Sequence, residues 1–76
     1  MSHHTLDARR QLCPMPVIKT QNAVAGLKPG DTLEIIATDP GALNDIPAWC
    51  RVHGHRVVDS RHEAGEVRII VEVGEG

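Results

Sequence analysis

The chain has 76 residues, a net charge of -2 and a single aromatic residue, Trp49. A chain of this length forms one domain and buries only about 60% of its unfolded surface, so we treat residues 1–76 as a single domain with a thin, aliphatic core. We expect no membrane contact and no direct nucleic-acid contact, because there is neither an apolar run that spans a bilayer nor a basic stripe interleaved with aromatic residues. Two cysteines are fewer than a secreted disulfide scaffold usually carries, and no signal-peptide pattern is present, so we predict a cytoplasmic protein with reduced thiols.

Hydrophobic periodicity predicts four strands and two helices in the order β-α-β-α-β-β. The predicted strands cover 5–8, 32–38, 55–61 and 66–73, and the predicted helices cover 14–25 and 46–53, with Pro40 as an alternative start of the second helix. The first β-α-β unit requires a crossover that makes its two strands parallel, whereas the last two strands close a hairpin around residues 62–65. We therefore predict an α+β fold, a two-layer α/β sandwich with a mixed four-stranded sheet and two helices on one face.

Two of these elements predict which side chains are buried. In the first helix, apolar residues at helical spacing form one stripe, which consists of Val17, Ile18, Val24 and Ala25. In the strand that follows, the residues expected to face the core alternate with more polar positions and are Leu33, Ile35 and Ala37.

Residues 11–16 read Gln-Leu-Cys-Pro-Met-Pro and form the most informative stretch of the chain. Pro14 and Pro16 fit the first turn of a helix, where backbone N–H groups have no intrahelical partner. Cys13 is therefore expected at or just before the N-cap, where the helix dipole and the N–H groups of Met15 and Val17 would stabilise a thiolate. We predict an accessible sulfur whose pKa is moderately lowered.

The chemistry predicted for Cys13 follows from what its motif lacks. Pro16 stands where a Cys-x-x-Cys motif has its second thiol, so no neighbour within the motif can close a disulfide with Cys13. This favours carrying a group on the sulfur over dithiol redox exchange. The alternative is that Cys13 is a small buried hydrophobic residue beside a bend in the chain.

Charged residues precede the cysteine. Arg9 and Arg10 could place positive charge near the sulfur or attract an acidic partner, and their alternative interpretation is a solvated loop. Asp7 could fix the conformation of the loop that leads to Cys13. Lys19 is expected on the outward face of the first helix.

The second half of the chain offers weaker candidates. Cys50 is expected in the core beside Trp49, because free cysteine is among the most buried residue types. Cys50, His53 and His55 supply too few ligands for a metal site, and the sequence carries no catalytic triad, paired carboxylates or phosphate-binding loop, so we expect no metal, no cofactor and no free-standing enzyme. The acidic residues near the second helix are interpreted first as helix caps and are Asp39 and Asp45.

The stretch at 6–7 followed by 12–16 resembles the signature of the TusA/SirA-like sulfur carriers, which are small proteins with a Cys-Pro-x-Pro motif. The resemblance continues at 27–31, 39–40, 45–47 and 54–55, in one register from Thr5 to Val73. It implies four strands backed by two helices. It also implies that Cys13 accepts sulfane sulfur as a persulfide, with Pro14 and Pro16 supporting the motif.

The resemblance further implies partner proteins. The donor would be a cysteine desulfurase or a rhodanese-type enzyme, and the acceptor a DsrE-like or other sulfurtransferase. The destinations of the sulfur in this family are tRNA thiolation, molybdenum-cofactor supply and oxidative sulfur metabolism. In such proteins the acidic residue before the second helix lies near the cysteine loop. The candidate partner-docking residues are therefore Asp39 together with Arg9, Arg10, Met15 and Lys19.

Two other functions are compatible with the sequence. A non-catalytic regulatory or interaction module of the SirA type would tolerate Cys13→Ser, whereas a carrier would not. A thiol redox protein would require a reversible disulfide between Cys13 and Cys50, which is disfavoured because Cys50 is expected to face the core. We expect the protein to be a monomer.

Overall fold

The computed structural model describes residues 2–74 and contains four strands and two helices in the predicted order. The strands are β1 (His3–Ala8), β2 (Thr32–Ala37), β3 (Arg56–Glu63) and β4 (Glu66–Glu72). The helices are α1 (Met15–Ala25) and α2 (Ala42–Val52). Neither helix within residues 2–74 is long and apolar enough to cross a membrane.

The four strands form one mixed sheet with the order β1-β2-β4-β3. β1 runs parallel to β2, with Ala8 opposite Ala37, and β4 pairs antiparallel with both β2 and β3. The two helices contact each other and pack on the sheet. The predicted α+β fold, with a mixed sheet and a helical layer on one face, is confirmed.

The core is aliphatic, as the composition predicted. Side chains that point to the helices alternate along β2 and β4, and the buried ones are Leu33, Ile35, Ala37, Val67, Ile69 and Val71. From the helical layer, Val24, Ile46 and Cys50 complete this core. Burial of this apolar surface is the main favourable contribution to folding.

The buried face of α1 differs from the prediction. Pro16, Thr20 and Val24 are buried, whereas Ile18 and Ala25 of the predicted stripe are exposed. The helix is rotated so that a threonine enters the core, which costs little because its hydroxyl donates to the carbonyl oxygen of Pro16 at 2.8 Å. A hydrophobic pattern does not register a hydrogen bond between a side chain and the backbone of the same helix. The predicted stripe therefore left out Thr20 and included Ile18 and Ala25.

The second helix begins earlier than residue 46, close to the alternative start at Pro40. Its first turn forms because the N–H groups of residues 42–44 donate to the carbonyl oxygens of Asp39, Pro40 and Gly41. Gly41 is the N-cap and receives no side-chain cap. The interpretation of Asp45 as a helix cap is therefore wrong, because Asp45 lies inside the first turn of α2.

The β3–β4 hairpin is tighter than predicted. Its turn consists of two residues, Ala64 and Gly65, with φ angles of 52° and 79°. Two consecutive positive φ angles are typical of a type I′ turn, which matches the right-handed twist of a two-stranded ribbon. Ala64 is unfavourable in this conformation because its Cβ crowds the backbone, whereas asparagine and glycine tolerate it.

We expect Ala64→Asn to stabilise the protein by about 0.5–1 kcal/mol, since it removes left-handed backbone strain. Gly65→Ala should destabilise it by roughly 1 kcal/mol for the converse reason, and no atom within 4 Å of the new Cβ would add a steric cost. Urea unfolding measures the change in the free energy of unfolding for both variants, provided that the m-value is the same as in the parent. A higher urea midpoint for Gly65→Ala than for the parent would contradict the turn assignment.

Candidate functional site

The site lies at the edge of the sheet where the two parallel strands end. β1 and β2 end side by side at Ala8 and Ala37, so the loops that follow them leave the sheet at the same edge. The first loop carries Cys13 into α1, and the second leads into α2. The N–H of Arg10 donates to the hydroxyl oxygen of Thr38 at 2.8 Å and joins the two loops.

Asp39 fixes the backbone of the cysteine loop. Its Oδ2 accepts a hydrogen bond from the N–H of Cys13 at 2.9 Å, and its Oδ1 accepts one from the N–H of Gly41 at 3.0 Å. One carboxylate thus joins the start of α1 to the N-cap of α2. The interpretation of Asp39 as a helix cap is wrong, because the N-cap of α2 is Gly41 and the Asp39 carboxylate instead joins the two loops.

Cys13 is exposed and lies one residue before Pro14, the N-cap of α1, and the peptide bond between the two is cis. This confirms the predicted position and accessibility of the sulfur. The thiol group donates a hydrogen bond to Oδ2 of Asp45 at 3.3 Å. Asp45 is therefore a residue of this site that the sequence analysis did not place there.

The predicted lowering of the Cys13 pKa is wrong. The hydrogen bond to Asp45 raises the pKa of this thiol, and partial burial and the negative charges of Asp45 and Asp39 raise it further. The N–H of Met15, one of the two expected donors, instead donates to the carbonyl oxygen of Leu12 at 2.8 Å. With its pKa raised by the two nearby carboxylates, the resting sulfur is a thiol.

The two arginines do not set the protonation of Cys13. The guanidinium of Arg9 binds Asp7 at 3.0 Å and Glu66 at 3.5 Å. The hydrogen bond from Arg9 lowers the pKa of Asp7 to about 2, so Asp7 is ionised and fixes the start of the loop. Arg10 forms no ion pair within residues 2–74, and its positive charge remains available to a partner.

Exposed apolar side chains lie close to Cys13 in the sequence, in the cysteine loop and the first turn of α1. Leu12 is 78% exposed, Met15 39% and Ile18 40%. Lys19, on the same helix, is half-buried and contributes to lowering the pKa of Asp7. Of the candidate docking residues, Arg10 and Met15 are free to meet a partner, whereas Arg9 and Asp39 are already engaged within the chain.

The second cysteine belongs to the core. Cys50 is fully buried, and burial raises its pKa to about 11. His53 and His55 lie against the ring of Trp49, with centroids 4.9 and 5.0 Å apart, rather than around Cys50. In residues 2–74 no group of three or more His, Cys, Asp or Glu side chains has the arrangement of a metal site.

The carboxylates around Cys13 predict slow alkylation. A raised pKa leaves less thiolate at a given pH, so Cys13 should react with iodoacetamide more slowly near neutral pH than the cysteine of an unstructured peptide. The pH midpoint of the rate should lie above that of the peptide. Cys50 should react only on unfolding, and any alkylation that remains in Cys13→Ser measures the reaction of Cys50. A pH midpoint of alkylation below that of the peptide would contradict this prediction and would support the lowered pKa that the helix start alone predicts.

The chain is similar to known proteins in sequence and in fold. The family model for the sulfurtransferase TusA matches residues 4–73. The sulfur carrier protein TusA of Pseudomonas aeruginosa is 47% identical over 60 residues, which cover 79% of this chain and 76% of that protein. A relative from Neisseria meningitidis is 36% identical over 72 residues, which cover 95% of this chain and 97% of the relative.

A crystal structure provides the comparison of folds. The SirA-like protein of Desulfitobacterium hafniense superposes with a TM-score of 0.82 at 22% identity and covers 95% of this chain and 99% of that one. At this identity the likeness establishes the fold alone. The match of the family model over nearly the whole chain and the identity to the relatives establish the family: the chain belongs to the TusA family of sulfurtransferases.

Proposed function

We propose that this protein carries sulfane sulfur as a persulfide on Cys13 and relays it between sulfurtransferases in the cytoplasm. The observation that supports this most strongly is the asymmetry of the two cysteines. Cys13 is exposed at a helix start, whereas Cys50 is fully buried in the core. A sulfur atom bound to Cys13 therefore faces a partner and has no second exposed thiol within residues 2–74 to displace it.

The relay consists of two thiol exchanges. In loading, Cys13 attacks the outer sulfur of a donor persulfide and the donor leaves as a thiol. In discharge, an acceptor thiolate attacks the outer sulfur on Cys13 and the Cys13 sulfur leaves. Both steps require the Cys13 sulfur to reach another active site, and its exposed position beside Leu12 and Met15 supports this reach.

The partners are proposed from the family and from this chemistry. The donor is a cysteine desulfurase or a rhodanese-type enzyme, and the acceptor is a DsrE-like or other sulfurtransferase. The sulfur would then serve tRNA thiolation, molybdenum-cofactor supply or sulfur oxidation. The exposure of Leu12, Met15 and Ile18, close to Cys13 in the sequence, supports docking on a partner, because exposed apolar side chains are typical of interaction sites.

Intact-protein mass spectrometry tests the proposal after incubation with a cysteine desulfurase and cysteine, or with a rhodanese and thiosulfate. We expect a gain of one or more sulfur atoms that a reductant removes. Cys13→Ser should abolish the gain because it removes the nucleophile. Cys50→Ser is the matched control and should retain it, because Cys50 is buried.

The donor that loads Cys13 would indicate the pathway. If neither donor adds sulfur while Cys13 remains open to alkylation, the carrier proposal for these donors is overturned and the regulatory module takes its place. If Cys13→Ser gains sulfur as readily as the parent, the sulfur is carried elsewhere and the assignment to Cys13 fails.

A further inference from the structure

Asp45 is the charged side chain in direct contact with the reacting sulfur. Its Oδ2 accepts the thiol hydrogen of Cys13 at 3.3 Å. Asp39 also lies at the site, but both of its oxygens accept backbone N–H groups, from Cys13 and Gly41. Asp39 is therefore fixed in a structural role, whereas Asp45 directs a carboxylate oxygen at the proton that must leave Cys13 when its sulfur attacks a donor.

The position of Asp45 is set by rigid elements. It lies in the first turn of α2, and its own N–H donates to the carbonyl oxygen of Gly41 at 2.9 Å. The adjacent residue, Ile46, is fully buried and anchors this turn in the core. A carboxylate held in this way is preorganised for proton transfer, because little reorganisation is needed when the reaction begins.

We propose that Asp45 is a catalytic residue of sulfur transfer, which accepts the thiol proton of Cys13 during loading and donates a proton to the Cys13 sulfur during discharge. The inference rests on the proposed carrier function. It gives Asp45 a chemical role where the sequence suggests only a helix cap.

The loading step balances without an oxidant. As the Cys13 sulfur attacks the outer sulfur of a donor persulfide, its proton moves to Asp45. A sulfur–sulfur bond forms on Cys13, and the donor's own sulfur–sulfur bond breaks with its electron pair leaving on the donor thiolate. That thiolate then takes up the proton. The sum is one thiol and one persulfide exchanged for one persulfide and one thiol.

Discharge is the same reaction in reverse. An acceptor thiolate attacks the outer sulfur carried by Cys13, and the inner sulfur leaves with the bonding electron pair. Protonated Asp45 then donates its proton to this leaving sulfur, and the proton has come from the acceptor thiol. By microscopic reversibility the base of loading is the acid of discharge. No metal or electron carrier enters either step.

The same carboxylate suppresses the reactivity of the unloaded carrier. Because Asp45 and Asp39 raise the pKa of Cys13, most of the resting protein holds a thiol rather than a thiolate. A thiol reacts slowly with alkylating agents and oxidants. Asp45 would thus slow non-specific reactions while assisting transfer to a persulfide held in reach. Removal of the carboxylate should therefore speed non-specific alkylation and slow sulfur transfer, so a single variant distinguishes the two effects.

The experiment compares Asp45→Asn with the parent in two assays. The first is alkylation of Cys13 by iodoacetamide across pH. The second is loading of Cys13 by glutathione persulfide, a small donor that needs no docking surface, followed by rapid quenching and intact mass. We expect alkylation to become faster near neutral pH, because the pKa of Cys13 falls. We expect loading to slow by about 10²-fold, the lower end of what a positioned proton-transfer group contributes.

Three controls accompany this variant. Glu63→Gln removes the same charge from the exposed end of β3 and should change neither rate. Asp45→Glu keeps a carboxylate within reach and should recover part of the loading rate. Thermal unfolding is the third control, and an unfolding midpoint of Asp45→Asn equal to that of the parent shows that the variant is folded.

The outcomes separate the inference from the function on which it rests. If the parent gains no sulfur, the carrier proposal fails and Asp45 has no reaction to assist. If the parent gains sulfur and Asp45→Asn gains it as fast or faster, the carrier proposal stands and Asp45 merely suppresses the thiolate. Slower loading combined with faster alkylation supports proton transfer by Asp45 when the variant unfolds at the same midpoint as the parent and Asp45→Glu recovers part of the loading rate, because a disrupted site would alkylate faster but would not be rescued by a carboxylate.

Discussion

The hydrogen bonds that two aspartates form with Cys13 hold the functional site together. Asp39 binds the backbone N–H of Cys13 at 2.9 Å, and Asp45 accepts the thiol proton at 3.3 Å. They can do so because β1 and β2 are parallel and end at the same edge of the sheet, which brings the loops after them together. Asp39 and Asp45 follow Cys13 by 26 and 32 positions in the sequence, so the site is assembled by the fold although the cysteine motif itself is local.

This arrangement explains how a reactive cysteine can lie on the surface without being strongly acidic. The helix start and its dipole favour a thiolate, but Pro14 has no N–H to donate, Met15 donates to Leu12, and two carboxylates lie close to the sulfur. The net result is a raised pKa. A carrier benefits from this balance, because it must meet several partners in turn and react only when a persulfide or an acceptor thiol is presented.

Much of the fold was predictable from the sequence, because alternation at Leu33, Ile35 and Ala37 and the paired prolines before α1 report local structure directly. The position and exposure of Cys13 followed in the same way. The burial of Thr20 depends on a side-chain hydrogen bond that hydrophobic patterns do not register. The role of Asp45 depends on tertiary proximity; the signal available was the predicted parallel pairing, which places the residues after both strands at one edge.

We propose that Cys13 holds sulfur for a partner and does not release it within its own chain. The most direct test follows the lifetime of the persulfide on isolated, loaded protein before and after an acceptor thiol is added. We expect the sulfur to persist on Cys13 until the acceptor arrives and then to appear on that acceptor in equal amount. Spontaneous release of sulfide with formation of a Cys13–Cys50 disulfide would contradict it, because Cys50 would then act as a resolving thiol.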